Sequence, residues 1–370
     1  MKFFKYLFVL LSLILMISCG GDEEEEDWGN DGDGNNNENN EGNGGWISQE
    51  GQDWKILETR GFTHIHSLAI GSNDTLYVGG TAQEESKKSD AFLVVFDAKG
   101  KELWSKQWDY QESADTVNKV VMGKHGNIYV IGGYIPFVIK FAYDGTKLWE
   151  QFPEFDDLYS LALDEEENVY VSSSYRDEIV KYSSDGKELQ RYNISDEGIT
   201  GISALTVDSK GNIYAGGYTS FSLFADNAGN KDAFLVKIAP DGTQLWGKQW
   251  GGEGKDQVKT MLLDNDDNIF IALGINEKTD LALRISPDGD KLWEIDQQCY
   301  PAAISNNNHI YCIGGNQIYK YNSKGECVGN YSNKYKKGYL NTIVCDSQEN
   351  IYMSTTQSTK IIKISSSDFK

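Results

Sequence analysis

The sequence predicts an all-β protein, a seven-bladed β-propeller with four antiparallel strands per blade. The first observation is a unit that recurs every 41 to 56 residues along most of the chain, as propeller blades do. The second is the composition, since 9 Trp, 21 Tyr, 15 Phe and 38 Gly favour short strands and tight turns. The third is that no stretch has the i, i+3, i+4, i+7 spacing of a substantial amphipathic helix.

The unit has two halves, each recognised by one residue. The first half centres on an aromatic residue and is present seven times, at Tyr77, Tyr129, Tyr170, Tyr214, Phe270, Tyr311 and Tyr352. The second half turns on a glycine and is present six times, at Gly100, Gly145, Gly186, Gly242, Gly289 and Gly325. A Leu-Trp pair follows that glycine in four copies, with its tryptophan at Trp104, Trp149, Trp246 and Trp293.

Each copy predicts four strands, which in the clearest copy cover 205–207, 213–217, 234–238 and the residues from 245 onward. Asp208 and Asn212 flank the first turn, where their side chains bond local backbone. Gly242 follows Pro240 and Asp241 in a tight turn that needs a positive φ. The short, repetitive turns between strands 1 and 2 and between strands 3 and 4 lie on one side of such a blade, which we expect to be structural.

The seventh copy lacks its fourth strand, because the chain ends just after the apolar segment 361–364. Residues 50–54 near the other end resemble the turn and tryptophan that open every fourth strand. We therefore expect Trp54 to Thr59 to complete blade seven and close the ring, which pairs edges that would otherwise be exposed.

The first residues are not expected to join the fold. Lys2 and Lys5 precede an apolar run that is too short to span a bilayer, and residues 1–18 fit a secretory signal peptide. The run ends at Cys19 and resembles a bacterial lipoprotein signal, which implies lipid attachment at Cys19. Residues 19–45 are rich in Gly, Asn and acid and predict a disordered tether. The propeller should cover 46–370.

The charge limits the partners. The chain has 56 acidic and 34 basic residues, a net charge of −22, and nothing supplies the basic face that nucleic acid requires. Residues from Trp46 onward still carry a net charge of −14. We expect a monomer on an outer membrane or cell surface, anchored by its lipid, with cationic partners favoured.

Three segments carry a resemblance to a known family. Gly216-Gly-Tyr-Thr-Ser220, Asp232-Ala-Phe234 and Trp250-Gly-Gly252 resemble the SBBP β-propeller repeats of bacterial surface proteins, and the Asp-Gly-x-x-Leu-Trp segments resemble the PQQ-type propeller repeat. The resemblance covers most of 46–370. It implies the fold, whereas propellers host unrelated activities.

Candidate binding residues lie where the repeat varies in length, at the 2–3 turns and the connections between blades. The aromatic candidates that could stack on sugar or anchor a protein are Trp108, Tyr110, Tyr134, Tyr175, Tyr218, Phe221, Phe224 and Trp250. Insertions in blades one and four, at 81–90 and 219–232, lie on the same side. The remaining candidates are His64 and His66, which share one face of an extended segment.

We expect no metal and no cofactor. Two histidines supply too few ligands for zinc, and His125 and His309 fall in turns on the opposite side. The tether matches a calcium loop only partly, and residues 264–268 occupy an ordinary 1–2 turn. Besides Cys19 the cysteines are Cys299, Cys312, Cys327 and Cys345, whose pairing the sequence leaves open among three arrangements.

The sequence therefore predicts a non-enzymatic module that binds a protein or a glycan, or serves as a scaffold. Three alternatives stay open. A streptogramin-lyase-like enzyme needs His and Glu together on one side, where only His64 and His66 qualify. A PQQ-dependent dehydrogenase needs a quinone pocket with a calcium-holding acid and usually more blades. An outer-membrane assembly lipoprotein resembles this chain in kind, but that family is eight-bladed.

Overall fold

The computed structural model describes residues 45–48, 54–58, 64–83, 88–110, 114–195, 200–275, 279–332, 340–355 and 359–370. These residues form seven antiparallel sheets, six of four strands and one of five, which confirms the seven-bladed propeller. Their helical residues are two short 3₁₀ turns, Ser72–Asp74 and Ser366–Asp368. The predicted signal peptide, Cys19 and the tether up to residue 44 lie outside the described residues.

Within those ranges, no helix has the length and apolar character needed to cross a membrane.

The strands are numbered in chain order. Two precede blade one: β1 (Ile47–Ser48) and β2 (Trp54–Glu58). Blades one to three comprise β3 (His64–Ile70), β4 (Leu76–Ala82), β5 (Asp90–Phe96), β6 (Glu102–Trp108), β7 (Val117–Met122), β8 (Ile128–Gly132), β9 (Phe137–Phe141), β10 (Lys147–Gln151), β11 (Ser160–Leu163), β12 (Val169–Ser172), β13 (Glu178–Tyr182) and β14 (Glu188–Asn193).

Blades four to seven continue the same order. They comprise β15 (Thr200–Val207), β16 (Ile213–Thr219), β17 (Asp232–Ile238), β18 (Gln244–Trp250), β19 (Gln257–Leu263), β20 (Ile269–Ile275), β21 (Thr279–Ile285), β22 (Lys291–Ile295), β23 (Ala302–Ile304), β24 (Ile310–Gly314), β25 (Gln317–Tyr321), β26 (Cys327–Ser332), β27 (Leu340–Cys345), β28 (Ile351–Thr355) and β29 (Lys360–Ile364).

Blade seven is closed from the other end of the chain, as the sequence predicts. Its strand order is β1-β2-β29-β28-β27, and β2 pairs with β29 from Trp54↔Ile364 to Glu58↔Lys360. The two residues of β1 add a fifth strand through Ile47↔Ile56 and Ser48↔Lys55. The sequence did not predict β1, because two residues carry no alternation of apolar and polar side chains.

Trp54 begins β2, as the sequence predicts, but it is Trp46 that makes the contact with the tyrosine of blade seven. The Trp46 ring packs edge-on against Tyr352, with 5.4 Å between centroids. In blade four, Trp246 packs against Tyr214 at a similar distance of 5.9 Å, in a tilted arrangement. Trp46 also lies against Gly100 in the next blade, where an added Cβ would meet the Trp46 backbone at 2.9 Å. Closure therefore depends on Trp46 as well as on β2.

The first strand of each blade lies innermost, around the central channel. These seven inner strands contact one another in sequence, and the contact of β27 with β3 closes the ring. The apolar core lies between blades rather than in one centre: Val95 and Phe92 on β5 belong to different clusters, one shared with blade two and the other with blade seven. Each blade is therefore stabilised by both of its neighbours.

A repeated polar network, which we call the turn network, holds the 1–2 turns of blades two to seven. In blade four the Asp208 carboxylate accepts from the Asn212 backbone and side-chain N–H groups, both at 2.8 Å, and from the Tyr214 hydroxyl at 3.1 Å. Lys237 Nζ lies 3.4 Å from Asp208. Burial opposes ionisation of Asp208, but the hydrogen bonds from Asn212 and Lys210 and the charge of Lys237 outweigh it and keep its pKa below the usual range.

Blades two and six lack this aspartate but keep the lysine, which pairs with a glutamate of the next blade instead. Gly123 and Ser305 stand at the position, and Glu167 and Glu349 supply the charge. Glu349 takes φ +64° and accepts from Ser305 Oγ at 2.8 Å. A Cβ on Gly123 would lie 2.4 Å from Glu167 Oε1, so glycine makes the room that the incoming glutamate needs.

The cysteines resolve the pairing that the sequence left open. Cys299 and Cys312 form a disulfide, with their Cα atoms 4.8 Å apart. Cys312 lies on β24 opposite Ala302, so the bond joins the start of blade six to its second strand. Cys327 is a free exposed thiol and Cys345 is a free half-buried one.

Candidate functional site

The two sides of the propeller differ in what they present. The 1–2 and 3–4 turns form the turn face, and the 2–3 turns with the connections between blades form the crossover face. The longest described 2–3 turn joins β16 to β17 and covers 220–231. The candidate residues predicted from the sequence lie at or beside the crossover face.

The inner strands begin on the crossover face with a repeated β-bulge. Five of them shift register by one residue just after their start, at His66, Asn118, Ser203, Lys259 and Asn341. A bulge leaves one residue outside the ladder and re-aims its side chain. The bulge side chains are therefore placed at the mouth of the channel.

Three bulge side chains hydrogen-bond the next blade. Asn118 Nδ2 donates to Leu158 O at 2.9 Å. Ser203 Oγ donates to Val258 O at 2.6 Å, and Asn341 Nδ2 donates to the carbonyl oxygen of the residue before His66 at 2.8 Å. These bonds act between neighbouring inner strands, including the pair that closes the ring.

His64 and His66 lie together at this mouth, as the sequence predicts. Their rings stack with 6.2 Å between centroids, and His66 Nε2 lies 3.0 Å from Thr81 Oγ1. Burial and the adjacent His64 lower the pKa of His66. No described carboxylate hydrogen-bonds either ring, and no three His, Cys, Asp or Glu side chains in the described ranges are grouped to hold a metal ion.

Two His–Glu pairs lie instead on the turn face, where sequence reasoning did not place any. His125 Nδ1 is 3.1 Å from Glu167 Oε1, and His309 Nδ1 is 2.8 Å from Glu349 Oε1. Both glutamates also accept from a buried tyrosine hydroxyl, that of Tyr129 or Tyr311. The pairs belong to the turn network of blades two and six, so the same arrangement twice indicates a structural role.

Several predicted aromatic candidates pack against the protein itself. Trp108 lies 5.8 Å from Phe137 of blade two, and Trp250 packs on the cluster between blades four and five. The Tyr110 hydroxyl donates to Glu150 at 3.0 Å. Burial, followed by that hydrogen bond, raises the pKa of Tyr110.

The blade-four insertion also folds back on its own blade. Gln249 Oε1 accepts from the backbone N–H groups of Leu223 and Phe224 at 2.9 and 3.0 Å, and its Nε2 donates to Phe221 O at 3.0 Å. The Phe224 ring lies over Gly247, where a Cβ would be 2.2 Å away. Phe221 and Phe224 are thus parts of an anchored loop.

Tyr218 is buried, and its hydroxyl donates to Ser174 O at 2.9 Å. Lys231 Nζ lies 3.6 Å from its ring centroid, a cation–π contact that covers the ring. Of the predicted aromatics, Tyr134 and Tyr175 are the two that the structure leaves strongly exposed, at 71% and 63%.

Tyr159, which sequence reasoning missed, is exposed beside Tyr175. Tyr159 is 52% exposed and directly precedes Ser160, the first residue of β11. It is equivalent to His66 of blade one, which directly precedes Ser67. The signal that could have found it is this equivalence of inner-strand positions. The Tyr159 backbone N–H donates to Ser172 O at 3.2 Å, three residues before Tyr175. Burial, followed by the charges of Asp157 and Tyr175, raises the pKa of Tyr159.

Asp157 gives this group a carboxylate, and we call Asp157, Tyr159 and Tyr175 the tyrosine patch. Ser173 Oγ donates to Asp157 Oδ1 at 2.7 Å and accepts from the Tyr175 backbone N–H at 3.1 Å. This serine fixes the carboxylate relative to the loop that carries Tyr175. Burial raises the pKa of Asp157, against the opposing hydrogen bond from Ser173. The patch therefore combines two exposed rings with an oriented acid.

Comparison with known proteins gives the fold. No family model matches the chain, and no curated protein does. Among solved structures, virginiamycin B lyase from Staphylococcus aureus is 13% identical with a TM-score of 0.62, over 84% of this chain and 99% of that one. A streptogramin B lyase is 14% identical with a TM-score of 0.62, over 85% and 99%. A chain of the mitotic checkpoint complex is 10% identical with a TM-score of 0.63, over 93% and 98%.

Proposed function

We propose that this protein is a non-enzymatic, exported binding module whose tyrosine patch takes a glycan. The observation that carries the proposal is the pairing of two exposed phenol rings, Tyr159 and Tyr175, with the oriented carboxylate of Asp157. A sugar has an apolar C–H face that stacks on an aromatic ring, and hydroxyls that donate to a carboxylate. Both needs are met within one short surface segment of blade three.

The packing of the other candidates supports this choice. Exposed aromatics are the residues that anchor ligands at protein surfaces, whereas Trp108 is already packed on Phe137 and Phe224 on Phe234. The SBBP-type family assignment belongs to the same proposal, and it rests on the repeat segments alone.

The proposal also includes the cellular location of the protein. The apolar run before Cys19 resembles a lipoprotein signal, and the acidic stretch after it suits a spacer. We propose that lipid at Cys19 holds the domain at an outer membrane or cell surface, as a monomer, with the propeller presented outward.

A glycan array probed with the chain from Gly20 onward tests the site. We expect Tyr159→Ala and Tyr175→Ala each to weaken binding about tenfold or more, the usual cost of removing an anchoring aromatic. Tyr143→Ala is the matched control, because Tyr143 is 74% exposed on the turn face. Equal loss in all three variants, or no glycan retained at all, would refute the proposed site.

A further inference from the structure

The inner strands differ in charge from the rest of the molecule. The chain has 56 acidic residues, yet none stands in β3, β7, β11, β15, β19, β23 or β27. Their charged or titratable basic side chains are His64, His66, Lys119 and Lys259. The strands that surround the channel thus carry basic groups alone, in a domain that is otherwise strongly acidic.

Lys119 occupies a defined place in this wall. It follows the bulge at Asn118 and pairs with Ile131. The equivalent residues of blades one and three are Ser67 and Ser160, whose hydroxyls accept backbone N–H groups of the next inner strand at 2.9 and 2.8 Å. The position therefore faces the neighbouring inner strand, and blade two has a half-buried lysine there.

Lys119 also has no counter-charge, unlike the buried cations of the turn network. Those cations each have a carboxylate within 4.0 Å, and they are Lys140, Lys181, Lys237, Arg284, Lys320 and Lys363. No described side chain or carbonyl is hydrogen-bonded or ion-paired to Lys119. Burial lowers its pKa to about 8, with no compensating acid. An ammonium group that forms no ion pair with the described residues can bind an anionic group through charge-assisted hydrogen bonds.

We propose that the central channel holds a small anion, a carboxylate or phosphate group, bound by the Lys119 ammonium. The anion supplies the charge that the inner strands lack, and it enters from the crossover face past the bulge residues. Lys259 stands at that mouth on β19 and steers the anion inward. Both a free ion and the anionic end of a larger ligand satisfy this chemistry.

Calorimetric titration of the chain from Gly20 onward tests the site, with inorganic phosphate and acetate as separate probes at low ionic strength. We expect one anion per chain with phosphate, acetate or both, which tells the two groups apart. Lys119→Met should weaken binding at least about tenfold, because a charge-assisted bond is removed. Lys210→Met is the control, since Lys210 is exposed in a 1–2 turn on the opposite face.

A second variant keeps the test decisive if Lys119→Met does not fold. Lys119→Arg retains the positive charge and should retain binding, with the melting temperature still rising on addition of the anion. Two results would overturn the proposal: wild type that binds neither probe, or Lys119→Met that folds and binds as wild type does. Loss of glycan binding in the tyrosine-patch variants is a separate readout and leaves this site unaffected.

Discussion

At the residue scale, each buried cation of the turn network has a carboxylate partner, although the residue that supplies this carboxylate differs between blades. Blade one has neither group: Gly71 stands at the position of the aspartate and Val95 at the position of the cation. Blades two and six keep the cation but not the acid, and there Glu167 or Glu349 reaches across. A buried lysine left without its carboxylate is strongly destabilising, which explains why the next blade supplies a glutamate where the aspartate is missing.

This pairing predicts the effect of Glu349→Gln. The change leaves Lys320, now 2.7 Å from the carboxylate, without a counter-charge, and we expect a loss of about 3 kcal/mol in the free energy of unfolding at pH 7. Adding Ser305→Asp should recover much of that loss, because blades three, four, five and seven carry aspartate at this position. Urea denaturation of the single and double variants measures both effects.

The same pair gives the pH dependence. Burial opposes ionisation of Glu349, but hydrogen bonds from His309, Lys320 and Ser305 outweigh it and hold its pKa well below the usual range. A lowered carboxyl pKa stabilises the fold above the unfolded-state value of about 4.3, and this contribution is lost as the pH falls. The difference between wild type and Glu349→Gln should therefore shrink on acidification. A difference that grows below pH 4 would contradict the assignment.

At the element scale, blade seven depends on residues that precede the first blade. β2 supplies its fourth strand through five residue pairs, and Trp46 packs on Tyr352. An incomplete blade exposes a strand edge and the adjoining core. The N-terminal strands are thus structural parts of a blade formed mainly from the other end of the chain.

Truncation separates this role from that of the segment before it. A chain that begins at Thr59 lacks β1, β2 and Trp46, and we expect its melting temperature to fall by about 10 °C or more, or cooperative unfolding to be lost. A chain that begins at Gly45 retains all three and should melt as the longer chain does. Circular dichroism against temperature provides the measurement, and equal melting of both truncations would show that closure is dispensable.

At the scale of the whole molecule, the features that recur in every repeat are the ones that the sequence predicts correctly. The tyrosine positions, the glycine turns and the closing strand follow from local patterns that recur, so blade number and closure were predictable. Tyr159 was not found, because its position depends on aligning inner strands that have little sequence in common. The burial of Phe224 depends on the absence of a side chain at Gly247, and the Cys299–Cys312 bond depends on strand pairing. Such contacts between distant residues leave no periodic signal.

The N-terminal sequence predicts that lipid at Cys19 anchors the protein to a membrane, and this prediction can be tested directly. In cells given labelled palmitate, we expect label in the wild-type protein and in membranes that contain it, since acyl chains anchor a protein through buried methylenes. Cys19→Ala should abolish the label and release the protein from the membrane fraction. Cys327→Ala, which removes an exposed thiol of the propeller, should change neither, and labelling of Cys19→Ala would contradict the anchor.

The place of β1 has a mechanical consequence. The chain joins the propeller at its outermost ribbon, where β1 is held to β2 by two residue pairs and β2 to β29 by five. When the chain before β1 is pulled, the force acts first on the pairing of β1 with β2. The antiparallel residue pairs then separate one after another, instead of all at once. The β1–β2 pairing, which has the fewest residue pairs, separates first and releases extra chain length. The force reaches the inner strands only through β2 and β29. If the domain is anchored through Cys19 as proposed, β1 would therefore be the first strand to detach under tension.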